Sequence, residues 1–279
     1  MGSDQFEQFL RDNHEHVDAL VSRFSDYEPA NGFDKAHLTS WLGQFQPQHR
    51  SCALKMAETI RYFGIDAINS LMPRVHSLIC DQIKQEGADR SSVFYVAFGR
   101  TGDSGEDIVR RYKTVNKLNR EQKQFISKIQ VLERAINVEN PLVFFLDDFV
   151  GTGKQVCDYW SEELHQYAPE YIPMYLAVIA ARAEGIKRIE AETPLKVLSV
   201  HTIGDRHCLL HSANTDLSNS EKRAIHGYCK AAGNQPLGFG DLGLLVSFAY
   251  GTPNNTISAV RGSERQRPWR GLLPRWEDL

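Results

Sequence analysis

Pro141-Leu-Val-Phe-Phe-Leu-Asp-Asp-Phe-Val-Gly-Thr-Gly-Lys-Gln155 decides the fold of this 279-residue chain. Leu142 to Leu146 is an apolar run of β-branched and aromatic residues without alternation, the pattern of a strand buried on both faces of a parallel sheet. Asp147 and Asp148 follow, then a Gly151-Thr-Gly153 turn, and Lys154 to Gln166 has helical character. Strand, glycine turn and helix in that order predict a βα unit. In open α/β sheets the carboxyl edge is where ligands bind.

The parts of this loop suit particular chemistry. Gly151 and Gly153 allow backbone conformations closed to other residues and let a ligand approach the amides. Those N–H groups, the Thr152 hydroxyl and the positive end of the following helix suit a phosphate monoester. Asp147 and Asp148 can accept hydrogen bonds from vicinal hydroxyls and hold Mg²⁺ through oxygen or water. An acid pair beside a phosphate cradle describes a sugar phosphate. A nucleoside-triphosphate P-loop is excluded, because Asp148 stands where G-x-x-x-x-G-K-[ST] needs its first glycine and Gln155 replaces the Mg²⁺-binding hydroxyl.

Upstream, Val93 to Phe98 reads as a second buried strand, and Gly99-Arg-Thr-Gly-Asp-Ser-Gly105 is the loop at its end. Backbone amides, a guanidinium and hydroxyls equip that loop for a second anionic group. Arg110 to Arg134 is rich in Arg and Lys and reads as a helix whose apolar stripe is Phe125, Ile129, Leu132 and Ile136. Downstream come a strand at Met174 to Ala181, a short helix at Ile186 to Glu190, a strand at Leu195 to Thr202 and a capped helix from Asn214 to Ala232. This βαβ alternation predicts a parallel sheet with right-handed crossovers. Leu244 to Tyr250 is a further expected strand, followed by Gly251-Thr-Pro-Asn-Asn-Thr256 and a Trp-rich end at Trp269 to Trp276.

The first 88 residues read as helical, without strands: about Asp4 to Ser25, Lys35 to Phe45, Arg50 to Tyr62 and Ile65 to Gln85, with Pro73 as a kink or first-turn residue in the last. The expected division is a helical region at 1–88 and an α/β domain at 89–279 that includes a C-terminal cap. A net charge of -3 argues against strong chain-wide nucleic-acid affinity. Five cysteines without a C-x-x-C pair point to free thiols in a reducing compartment. Lacking an apolar run of membrane-spanning length or a signal peptide, the chain is expected in the cytoplasm, away from membranes. His201, His207 and His211 lie near Cys208 without a clear fourth ligand, so a zinc site is not expected.

Val143-Phe-Phe-Leu-Asp-Asp-Phe-Val-Gly-Thr-Gly153 resembles the PRPP-binding signature of type I phosphoribosyltransferases: apolar residues, two acids, two apolar residues, a small or hydroxyl residue, Thr and Gly. The resemblance implies a Rossmann-like parallel-sheet core that binds Mg-PRPP or a related ribose 5-phosphate ligand. It places Asp147 and Asp148 on the ribose hydroxyls as the catalytic pair and at Mg²⁺, with Gly151, Thr152, Gly153, Lys154 and Gln155 on the 5-phosphate. It places Gly99, Arg100, Thr101, Ser104 and Gly105 on pyrophosphate. The chain departs from the family at Gly151, usually Ser or Thr, and at Gln155, commonly a hydroxyl residue, which leaves fewer side-chain donors for the phosphate.

With the helical N-terminal region, the Gly99 to Gly105 loop, the Thr252-Pro-Asn-Asn-Thr256 segment and a terminal Trp, the chain is similar to a bacterial group of phosphoribosyltransferase-like proteins linked to antiviral conflict systems. That similarity implies an effector role in phage defence, with a protein or nucleic-acid partner. Water must be kept from bound PRPP, and the N-terminal helices and the Asn254-Asn255 segment are the candidates for a covering hood over the ligand. If active, such a protein is a glycosyltransferase. Two alternatives stay open: a non-catalytic sensor of ribose phosphate or nucleotide or a structural subunit, and a nucleobase salvage enzyme.

Overall fold

The structure is a computed structural model that describes residues 2–29, 32–100, 104–169, 171–262 and 269–275. The chain opens with helices α1 (Gly2–Asp12), α2 (His14–Phe24), α3 (Lys35–Gly43) and α4 (Arg50–Thr59), then strand β1 (Arg61–Phe63) and the long helix α5 (Ile65–Glu86). Next come β2 (Val93–Ala97), α6 (Ser104–Val115), α7 (Lys128–Ala135), β3 (Leu142–Val150), α8 (Lys154–Glu162), β4 (Met174–Ala181), α9 (Ala183–Glu192) and β5 (Lys196–Thr202). α10 (Asn219–Ala232), β6 (Val246–Phe248) and α11 (Ser258–Arg261) complete it. The chain packs as two compact units, Asp66–Ile203 on the one hand and Met1–Ile65 with Gly204–Leu279 on the other.

The Asp66–Ile203 unit is built on a four-stranded sheet in the order β2-β3-β4-β5, parallel at every pairing. The apolar runs explain it: all eight residues of β4 are buried, as are the first five of β3. One face carries Phe94, Val96, Val143, Phe145, Leu176 and Val178, packed under Val131 of α7, Val156 and Trp160 of α8 and Ile189 of α9. On the other face Phe144 stacks on Tyr175 with centroids 5.0 Å apart, Tyr95 lies 5.3 Å from Tyr112 of α6, and Gln82 of α5 donates to the Tyr175 hydroxyl at 3.1 Å. Helices therefore cover both faces, as a parallel sheet requires. Each fully buried Val, Leu or Phe contributes about 1.5–3 kcal/mol.

The other unit has its own core, in which Val17, Leu20, Phe24, Trp41 and Ala53 from the N-terminal helices meet Leu209, Ile225, Leu245, Val260 and Leu272 from the far end of the chain. Trp41 Nε1 donates to the Ala259 carbonyl at 2.9 Å. Strands β1 and β6 form a separate parallel pair there.

The mixed α/β class with parallel strands is as expected, and several boundaries move. The first 88 residues are not free of strands: Arg61–Phe63 pairs with Val246–Phe248, where a helix through Tyr62 was expected. The expected first helix is two, because Asn13 leaves helical geometry at φ -116°, ψ 24° and bonds back to the Phe9 carbonyl through its side chain at 2.8 Å. α5 continues through Pro73, which lies in its interior and not in its first turn. The basic stretch 110–134 is not one helix but the end of α6, a 3-10 segment at Leu118–Gln124 and most of α7. Of its expected apolar stripe, Phe125 stacks on Tyr95, Ile129 and Ile136 are 54% and 48% exposed, and the Leu132 side chain lies outside the described residues; α7 buries Val131 and Ala135. β3 continues past Leu146 to Val150, so the acid pair lies within the strand. Among the described residues no helix is long and apolar enough to cross a membrane.

Candidate functional site

Because all four strands run parallel, their carboxyl ends share one edge. β3 keeps pairing with β4 as far as Val150 and Ala181, whereas its pairing with β2 stops at Leu146 and Ala97. Beyond that point Asp147 and Asp148 have a partner strand on one side only. The start of α6 fills the gap. Ser104 Oγ donates to Asp147 Oδ1 at 2.8 Å, and the same oxygen accepts the Asp148 backbone N–H at 2.9 Å. Gly105 allows this approach, since a Cβ there would stand 2.1 Å from the Phe98 carbonyl oxygen. Gly99, at φ +102°, makes the turn out of β2.

Burial, and next the charge of Asp148 beside it, push the Asp147 carboxyl well above the ordinary carboxylate range. Hydrogen bonds from Ser104 and from the Asp148 backbone act in the opposite direction. Two interacting half-buried acids, one of them averse to ionisation, gain from hydroxyl donors or a cation placed against them. The donor set fits Mg²⁺, which takes one or two carboxylates and completes its shell with water and phosphate oxygens. Among the described residues no cluster of three or more His, Cys, Asp or Glu could hold a metal by itself, so the remaining ligands would have to come from water and substrate.

In the turn after β3, Gly151 and Gly153 are buried, Thr152 is half-buried, and Lys154 and Gln155 are exposed in the first turn of α8. Gly153 is left-handed at φ +75°, and a Cβ on it would stand 2.6 Å from the Gly185 carbonyl oxygen at the start of α9. Thr152 Oγ1 accepts the Lys154 N–H at 3.3 Å. Lys154 Nζ is held by Asp158 one turn later, at 2.6 and 2.7 Å.

The loop after β2 is tethered to α8 and the residue after it. Tyr159 donates its hydroxyl to the Gly99 carbonyl at 2.7 Å, and Arg100 donates to Glu163 at 2.7 Å and to Glu162 at 3.3 Å. Lys128 Nζ reaches the same Glu163 at 2.8 Å and the Tyr159 hydroxyl at 2.9 Å. Lys128 first and Arg100 second hold the Glu163 carboxyl below its ordinary range.

The structure thus brings Asp147, Asp148, Ser104 and Gly105 together, with Gly151, Thr152, Gly153, Lys154 and Gln155 directly after the acids in the chain. Arg100 is turned to the carboxylates at the end of α8, and Thr101 lies outside the described residues. Asn254 and Asn255 belong to the other compact unit, where the Asn254 carbonyl accepts the Phe239 N–H at 2.8 Å and Asn255 Nδ2 donates to the Phe239 carbonyl at 2.8 Å. These bonds fasten the turn that starts at Gly238. Residues that the sequence did not single out are Gly185 and Arg188 of α9, with Tyr159 and Glu163. The signal for Gly185 was a glycine four residues past a strand end, where a second loop must pack closely; for Glu163 there was none.

A search of curated proteins finds no match to the chain. The profile of the PRTase-CE family matches residues 38–275, a span that contains the whole of the acid-pair strand and both loops. With most of its length matched and a parallel α/β core of the corresponding kind, the chain belongs to the PRTase-CE family, and its fold is phosphoribosyltransferase-like.

Proposed function

We propose that the protein binds Mg-PRPP, or a related ribose 5-phosphate compound, at the carboxyl edge of β3 and serves as an effector in bacterial antiphage defence. The Ser104 bond to Asp147 carries this reading, because it joins the loop after β2 to the acid pair of β3 at one point. Asp147 and Asp148 accept the ribose hydroxyls, the amides from Thr152 onward take the 5-phosphate, and Gly99, Arg100, Ser104 and Gly105 serve the pyrophosphate end. Mg²⁺ held at the acid pair would neutralise charge on the leaving pyrophosphate. The paired carboxylates favour positive charge developing on the ribose as its bond to pyrophosphate breaks. The five thiols are all free, as the cytoplasm keeps them.

Incubation with PRPP, Mg²⁺ and a panel of bases, nucleotides and RNA tests the proposal by pyrophosphate release. Release that disappears in Asp147→Asn with Asp148→Asn supports the enzyme. A second reading, a non-catalytic sensor, is favoured by a specific observation: both Lys154 and Arg100, the cations of the two loops, are engaged by carboxylates. Tight PRPP binding without turnover would decide for it. Robust turnover with one free base alone would point instead to salvage.

A further inference from the structure

The orientation of the peptide planes in the turn after β3 is set from α9. A Cβ on Gly185 would stand 2.3 Å from the Gly151 carbonyl oxygen and 3.2 Å from its carbon, so that oxygen points at α9. The next carbonyl, that of Thr152, accepts a hydrogen bond from Arg188 Nη1 at 3.3 Å. Arg188 is itself steadied by Glu192 one turn on, Nε to Oε1 3.4 Å. Gly185 and Arg188 are three residues apart and lie on one side of the helix. In a trans peptide the carbonyl and the following N–H point in opposite directions. With both carbonyls drawn toward α9, the N–H groups of Thr152 and Gly153 must face away from it, which makes two successive donors of the kind that form anion-binding concavities.

We infer that Arg188, with Gly185, is a positioning residue that aims the Thr152 and Gly153 N–H groups at a phosphate monoester. The inference rests on the ribose 5-phosphate reading above. It also explains how a loop with Gly151 and Gln155 in place of hydroxyl residues can hold a phosphate: oriented main-chain donors replace the side-chain ones. A residue on a neighbouring helix, touching only the back of the loop, sets the ligand's affinity.

The test is a titration of the full chain with ribose 5-phosphate and, separately, inorganic phosphate, followed by calorimetry and by the Gly153 amide resonance, for wild type, Arg188→Gln and Arg188→Lys. Expected are a saturable downfield shift of the Gly153 N–H in wild type, about tenfold weaker ribose 5-phosphate binding in Arg188→Gln at an unchanged melting temperature, and recovery of most of the loss in Arg188→Lys. Arg188→Gln binding as tightly as wild type overturns the inference and leaves the reading of the site intact. Weaker binding that tracks a lowered melting temperature without rescue by Lys assigns Arg188 a structural role and overturns it as well. Wild type that binds neither probe defeats the reading of the site and the inference with it. Gly185→Ala, whose Cβ displaces the Gly151 carbonyl, is expected to weaken binding more than Arg188→Gln. If Gly185→Ala does not fold, the Arg188 variants decide.

Discussion

Asp147 bears an electrostatic cost that its neighbours only partly offset. A carboxyl pushed upward in the fold binds more protons folded than unfolded between its ordinary range and its raised value. Stability therefore falls as pH rises through that window. Asparagine keeps the oxygen that accepts from Ser104 and from the Asp148 backbone, and it cannot ionise. Asp147→Asn is thus expected to melt about 2–4 °C higher at neutral pH, the shift that about 1 kcal/mol produces in a domain of this size. Its gain should shrink toward zero below the ordinary carboxylate range, and its ligand binding should be lost. Equal melting curves for the two proteins across pH would refute the assignment. At Gly105 sterics decide: a Cβ 2.1 Å from the Phe98 carbonyl oxygen and 2.8 Å from the Phe98 nitrogen forces the start of α6 outward. Gly105→Ala should cost about 1–3 kcal/mol in urea denaturation and should separate Ser104 from Asp147.

At the scale of elements, Glu163 is where Arg100 and Lys128 converge, tying the loop after β2 to α8 and α7. Arg100 is exposed while Lys128 and Glu163 are half-buried, and ion pairs this open to water add little stability. Glu162 also holds Arg100, so Glu162→Gln with Glu163→Gln is the variant that removes both carboxylates from it; it should strengthen pyrophosphate binding severalfold at a nearly unchanged urea midpoint, and unchanged or weaker binding would contradict a role for Arg100 at the pyrophosphate. The sequence revealed elements wherever local pattern alone decides them. Met174 to Ala181 was legible to the residue, because eight consecutive apolar residues have one reading. The acids and both glycine loops were legible because their chemistry is local. β1 was not, since three residues become a strand only by pairing with Val246–Phe248, far along the chain. The end of β3 was missed because its last residues are held by β4, which sequence cannot show. Gly185, Arg188, Tyr159 and Glu163 escaped notice for the same reason: each acts on a loop from another element.

At the scale of the molecule, the N-terminal helices and the last segment of the chain form one core, although the whole α/β unit lies between them in sequence. Division by secondary-structure content, at residue 88, and division by packing are therefore different descriptions of this chain. Deleting Gly204–Leu279 removes Leu209, Ile225, Leu245, Val260 and Leu272 from around Trp41, so the N-terminal helices should lose fixed packing. The expected signs are dye binding to exposed apolar surface and a red-shifted Trp41 emission; a truncated chain with native near-UV dichroism would contradict the shared core. The central claim is that the acid pair and the turn after it grip one phosphorylated pentose, and calorimetric titration of wild type and of the Asp147→Asn, Asp148→Asn double variant with ribose 5-phosphate and Mg²⁺ tests it most directly. The account predicts saturable one-to-one binding by wild type that the double variant loses while remaining folded. Absence of binding by wild type, or equal binding by the two proteins, would contradict it.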